Sequence, residues 1–150
     1  MAKRKTMQDD PCPVARSLDL VGDRWSMLLV RDAFDGLRRF SDFQRNLGMA
    51  RNILSDRLAA LVGEGIFAVQ PASDGTSYQE YVLTTKGEAL FPVVVALRQW
   101  GERQLFGKGE PHSLLIESET GKPVAVMLPR DHAGHVLKPA GARVKKITDK

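Results

Sequence analysis

Cysteine occurs once in the 150 residues, as Cys12. One thiol excludes an internal disulfide framework and a cysteine-rich metal site. Apolar runs such as "FPVVVAL" fall far short of the roughly 18 residues that span a bilayer. The N-terminal stretch "MAKRKTMQDDPCP" is basic but has no apolar core segment, so no secretory signal is expected. There is no Gly-rich phosphate loop, no metal-ligand spacing and no Ser/His/Asp set in a motif context. Internal repeats and low-complexity tracts are missing too. These absences point to a cytoplasmic protein that is not an enzyme, needs no cofactor or metal and has no membrane partner.

What is present is a chain able to build a core. It is 43% hydrophobic and 27% charged, with a net charge of +4 and a pI near 9.4. That balance permits nucleic-acid binding without establishing it. The charge is unevenly placed. Residues 1–110 hold 15 Lys and Arg against 14 Asp and Glu, whereas residues 111–150 hold 7 against 4.

Local signals predict the elements. Pro13 suits the first position of a helix with Cys12 as its N-cap, carrying Val14, Leu18 and Val21 inward and ending near Gly22. Asp23 can cap a second helix, "RWSMLLVRDAF", with Trp25, Leu28, Leu29 and Phe34 as core. Ser41 then caps a short helix, "DFQRNL", closed by Gly48. The next helix buries Leu54, Leu58 and Leu61 at spacing i, i+4, i+7 and closes around Gly63 or Gly65. Two extended runs, "IFAVQPA" and "QEYVLTT", flank an Asp-Gly turn. Thr84 or Thr85 caps a long helix over about 86–105, kinked or tolerated at Pro92. After the linker "GKGEP", the tail reads as a hairpin around "ETGK", with no structure predicted from Arg130 onward.

A short helix closed by glycine, then a polar-faced helix, then a hairpin, is the order of a winged helix-turn-helix. The face opposite Leu54 and Leu58 carries Arg51, Asn52, Ser55 and Asp56. These are groups that read base edges in a major groove rather than the Glu/Lys ladder of a solvated helix. An ordinary amphipathic helix in a small α+β domain is the competing reading.

The ordered set "CPVARSLDLVGDRW", "RF-D", "LSDRL", "Y-LT-KG" and a long helix with Trp resembles the HxlR-type winged helix-turn-helix regulators over about residues 12–106. The resemblance implies an α+β, mainly α fold: a winged helix-turn-helix with a two-stranded wing, a long C-terminal dimerisation helix and a small C-terminal β-hairpin extension. It divides the chain into a flexible arm (1–11), a DNA-binding and dimerisation domain (12–106), and a linker with extension (107–150). It implies a bacterial, nucleoid-associated homodimer on double-stranded DNA with a palindromic operator, and names no small-molecule effector. The dimer contact would use Val14, Leu18, Leu90, Val94, Leu97 and Trp100. Two departures stand out. Met49 or Ala50 occupies the cap of the reading helix, where the family often has Ser or Thr, and the wing "PASDGTSYQ" has no basic residue.

DNA contacts are assigned to Arg38, Arg39, Arg51, Asn52, Ser55 and Arg57. Arg57 has a second reading as an internal ion pair, and Arg38 and Arg39 as a solvated turn. "GDRW" reads as architecture. Cys12 is either a small buried hydrophobe near the dimer contact or a redox sensor, since the positive end of a helix dipole favours a reactive thiolate. In relatives the extension bears paired cysteines resembling a zinc ribbon. Here only His112, His132 and His135 remain, and a relic without metal is expected. The leading function is a sequence-specific transcriptional regulator responsive to oxidants through Cys12. The alternatives are a regulator answering a small molecule, or a ligand-binding or protein-interaction module.

Overall fold

The computed structural model describes residues 5–147. Its contacts divide the chain into two compact units, Met1–Val94 and Val95–Lys150. The elements run α1 (Pro13–Val21), α2 (Ser26–Phe34), α3 (Phe40–Leu47), α4 (Arg51–Gly63), β1 (Phe67–Pro71), β2 (Gln79–Leu83), α5 (Thr85–Glu88) and α6 (Phe91–Gln104). The strands pair antiparallel, Phe67 opposite Leu83 through Pro71 opposite Gln79. This is a winged helix-turn-helix, α+β and mainly helical. The N-terminal arm expected over 1–11 lies partly outside the described residues. Within its described part, the Thr6 hydroxyl donates to Asp19 at 3.1 Å and the Asp10 carbonyl accepts from Arg16 Nε at 2.6 Å.

The first unit closes on Leu29, Val30, Phe43, Met49, Leu54, Leu58, Leu61, Ile66 and Phe67. Leu54, Leu58 and Leu61 seat α4 as its spacing predicts. Phe43 of α3 meets Phe67 of β1 edge to face, with centroids 6.2 Å apart. Asp32 of α2, buried, accepts from Asn46 Nδ2 of α3 at 2.9 Å and pairs with Arg31 at 2.8 Å. Gly48, at φ 65° and ψ 27°, ends α3 in the left-handed region and turns the chain toward α4.

Four local expectations need correction. Ser41 does not cap α3; the extended residue before the helix is Arg39, and Ser41 lies inside the first turn. Phe40 packs on the core and draws the helix start two residues earlier than the hydroxyl would, from Asp42 to Phe40. Val14 and Leu18 do not point inward; both are exposed, and α1 meets the core only through half-buried Leu20 and Val21. Leu28 is only half-buried. The single long helix is two. Pro92 has no N–H to give to the Glu88 carbonyl, so the chain tightens through Leu90 N–H to Gly87 O at 3.0 Å before α6 begins.

Thr84 caps α5, accepting from Gly87 N–H at 3.1 Å. A Cβ on Gly87 would stand 2.2 Å from the Ile66 carbonyl oxygen. The "TTKG" stretch thus carries the one residue that lets α5 seat against the start of the wing.

In the second unit, Gln99 is buried on α6. Its amide donates to the Ala125 carbonyl at 3.0 Å and its carbonyl accepts from Met127 N–H at 2.8 Å. The "ETGK" turn forms around Gly121, closed by an isolated bridge between Ile116 and Pro123 rather than by full strands. Structure continues where none was predicted. A second turn around Gly134 is closed by the bridge between Arg130 and Val136, and a 3-10 turn follows at Pro139–Gly141.

Candidate nucleic-acid interface

The α3–Gly48–α4 corner presents Arg51, Asn52, Ser55 and Asp56 to solvent. Ala50 precedes α4 and offers no side-chain cap, so the first N–H groups of the helix lack the oxygen a Ser or Thr would supply. The Arg51 guanidinium lies over the Phe40 ring at 5.2 Å and forms no ion pair among the described residues. It is thus pre-positioned at the leading end of the helix with its charge available. Ile53, 44% exposed on the same helix, was missed by sequence reasoning. Leu54 and Leu58 fill the inward side of the helix and leave Ile53 off it.

The helix is braced from behind. Asp23 accepts from the N–H groups of Trp25 and Ser26, each at 3.0 Å, and from the Ser26 hydroxyl. It also pairs with Arg57 Nη1 of α4 at 3.4 Å. Of its two readings, Arg57 takes the internal one, and "GDRW" is architecture, with Trp25 packed against the core. Partial burial raises the Asp23 carboxyl. The hydrogen bonds from Ser26 and Trp25 and the Arg57 charge outweigh that and hold it below its ordinary value. A depressed folded-state pKa gives stability that is present above the unfolded value and lost as pH falls through the folded one. Melting temperature should therefore drop as pH falls below about 4, and Asp23→Asn should show a shallower acid limb. Parallel acid limbs in the two proteins would remove Asp23 from the account.

Arg38 and Arg39 are not free in a turn; both reach into the wing. Arg39 pairs with Asp74, approaches the Thr76 hydroxyl at 3.4 Å and stacks over Tyr78 at 5.0 Å. Arg38 Nη1 pairs with buried Glu80 at 3.5 Å, while its carbonyl accepts Tyr81 N–H at 2.7 Å. Both wing carboxyls sit below their ordinary values. For Asp74 the Thr76 hydroxyl is the main cause, and for Glu80 the Ser73 N–H. Asp74, Tyr78 and Glu80 were not singled out from sequence. Their arginine partners lie 35 to 42 residues away, beyond any local pattern.

Among the residues assigned to a dimer contact, Val14, Leu18, Leu97 and Trp100 are exposed. Leu90 and Val94 are half-buried and packed against the core of their own unit. Cys12 is the N-cap of α1 and is exposed in the single chain. Its N–H donates to the Asp10 carboxylate at 2.8 Å, which places an anion beside the helix start. His112 stacks on Phe106 at 4.9 Å, and His135 Nδ1 lies 3.5 Å from Asp131. Among the described residues, no three His, Cys, Asp or Glu side chains converge as a metal would require.

Three comparisons bear on this geometry. The HxlR-like helix-turn-helix family model matches residues 20–108. The HTH-type transcriptional regulator Rv3095 of Mycobacterium tuberculosis is 48% identical over 92 residues, covering 61% of this chain and 58% of its own. The chain thus spans under two thirds of the length of that relative. The crystal structure of PA1607, a candidate transcription factor, superposes with a TM-score of 0.90 at 48% identity, over 95% of this chain and all of that one. The reduced form of the redox regulator HypR gives 0.56 at 31% identity over 63% of this chain and 96% of its own. With α3, Gly48, α4 and the wing in the family's order and the model matched across them, the chain belongs to the HxlR-like helix-turn-helix family.

Proposed function

We propose that the protein is a sequence-specific DNA-binding transcriptional regulator, with α4 as its reading helix. The observation that carries this is the exposed row Arg51, Asn52 and Ser55 on a helix fixed from behind by Leu54, Leu58 and Leu61. Arg51 suits guanine or phosphate and Asn52 suits adenine, while Ser55 serves either. Ser55 and Asp56 lie one turn further along, and Asp56 suits a cytosine amino group. Selection of bound duplexes from random DNA tests the proposal. A single enriched motif, with affinity falling steeply as salt rises, is expected. Recovery of unselected sequence at all salt concentrations would refute it.

The regulator acts as a homodimer on a palindrome in this reading. Exposed Val14 and Leu18 on α1, and Leu97 and Trp100 on α6, support a contact between copies. A twofold dimer sets its reading helices about one duplex turn apart. Sedimentation should give a dimer at micromolar concentration, and a monomer there would remove the palindrome. The exposed thiol of Cys12, beside the apolar face of α1, supports a response to oxidants. With one cysteine per chain, oxidation would join two subunits or form a mixed adduct. A duplex titration before and after diamide should change for the wild type and not for Cys12→Ser. Equal behaviour of both would reduce Cys12 to a surface residue.

A further inference from the structure

The first unit carries the candidate reading helix but little spare positive charge. Arg31, Arg38, Arg39, Arg45 and Arg57 each pair with an aspartate or glutamate of that unit. Residues 1–110 are nearly balanced, 15 cations against 14 anions. Yet duplex binding draws most of its affinity, and its salt dependence, from neutralised phosphates. The surplus lies beyond, where residues 111–150 hold 7 Lys and Arg against 4 Asp and Glu.

Within that stretch, Arg143, Lys145 and Lys146 follow the turn Pro139–Gly141 in close succession. Ala142 leaves the turn extended, at φ −129° and ψ 149°. Among the described residues, 143–147 make no hydrogen bond and no ion pair. Val144 and Ile147 are 79% and 77% exposed. An extended segment of this length reaches about 20 Å.

We propose that segment 142–147 is a second duplex contact, in which Arg143, Lys145 and Lys146 neutralise phosphates. This rests on the DNA-binding reading above and adds where the counter-charge comes from. The chemistry fits phosphate and not base edges. Among the described residues, no side chain or backbone group holds these cations in a fixed direction, and lysine acts as a point charge without a preferred fork geometry. Contacts of this type position a protein and raise its affinity but carry no sequence information. Sequence preference belongs to α4, and affinity with its salt dependence belongs largely to the tail.

The test uses the full chain carrying Arg143→Gln, Lys145→Gln and Lys146→Gln together. Its affinity is measured beside the wild type on the duplex that the wild type selects and on an unrelated duplex, from about 50 to about 200 mM salt. Losing three phosphate contacts should flatten log K against log salt by roughly 2–3. The wild-type advantage should then be about forty-fold greater at the low-salt end than at the high-salt end. The preference for the selected duplex should not change. An unchanged slope overturns the tail contact, as does a loss of preference with the slope intact. A wild type that binds no duplex overturns the DNA-binding reading and the tail with it. If Arg51→Ala loses selectivity while the triple variant keeps the wild-type slope, the regulator stands and the tail contact falls.

Discussion

Phe43→Ala should cost about 3–5 kcal/mol of folding free energy. Phe43 is fully buried, and its ring edge joins α3 to Phe67 at the start of the wing. Truncation removes the transfer energy of the ring and leaves a cavity that α3, tied to α2 through Asn46 and Asp32, cannot easily close. The lost aromatic pair adds about 0.5–1.5 kcal/mol beyond buried area. Against a total stability of about 5–15 kcal/mol, this is a large share. Urea titration should show the midpoint shifted strongly down. Duplex binding should fail at temperatures where the wild type still binds, because the corner that aims α4 has come apart. A loss under about 1 kcal/mol would mean the site collapses freely and the corner is loosely packed.

The substitutions Arg51→Ala and Asn52→Ala should act in the opposite way, on binding and not on folding. Both side chains are exposed, and alanine is a better helix former than either, so melting temperature should hold or rise slightly. Discrimination between the selected and an unrelated duplex should fall by about 1–3 kcal/mol for each, if the side chain makes a two-point contact to a base. The Phe40 ring beneath Arg51 limits its rotamers and so reduces the entropy lost on docking. The ratio of dissociation constants at one fixed salt concentration is the readout. Intact discrimination in Arg51→Ala, with fold and salt slope unaltered, would place the reading surface elsewhere than α4.

Much of this architecture is legible because it is written locally. Pro13, Gly48 and Thr84 mark helix ends through their own backbone or side-chain chemistry, and the structure uses each of them so. The spacing of Leu54, Leu58 and Leu61 fixes which side of α4 is buried, and hence which side is open. The misreadings share a cause. Ser41 has the right chemistry for a cap, but packing of Phe40 on residues distant in sequence moved the helix start. The pairing of Arg38 with Glu80 and of Arg39 with Asp74 depends on the wing folding back, which no nearby residue encodes. Val14 and Leu18 have helical apolar spacing, yet periodicity does not say whether the surface that receives them belongs to the same chain. Pro92 announced a disturbance, but whether a helix bends or breaks depends on what the turn at Ala89–Leu90 can bond to instead.

Gln99 has a consequence for the lifetime of the protein. Residues 111–147 contain no buried hydrophobic side chain, and Gln99 of α6 ties this stretch down by donating to the Ala125 carbonyl and accepting from Met127 N–H. A region with so little apolar burial opens at a free energy well below that of global unfolding. Its amides exchange early, and a protease meets it in the open form long before it reaches the core around Leu54 and Leu58. Limited proteolysis should therefore trim the C-terminal end while the helix-turn-helix is still folded. The population of the open form, and with it the rate of trimming, then depends on two neighbouring side chains of α6: Gln99, and Arg98, which donates to the Ser113 carbonyl at 3.1 Å and to its hydroxyl at 2.8 Å.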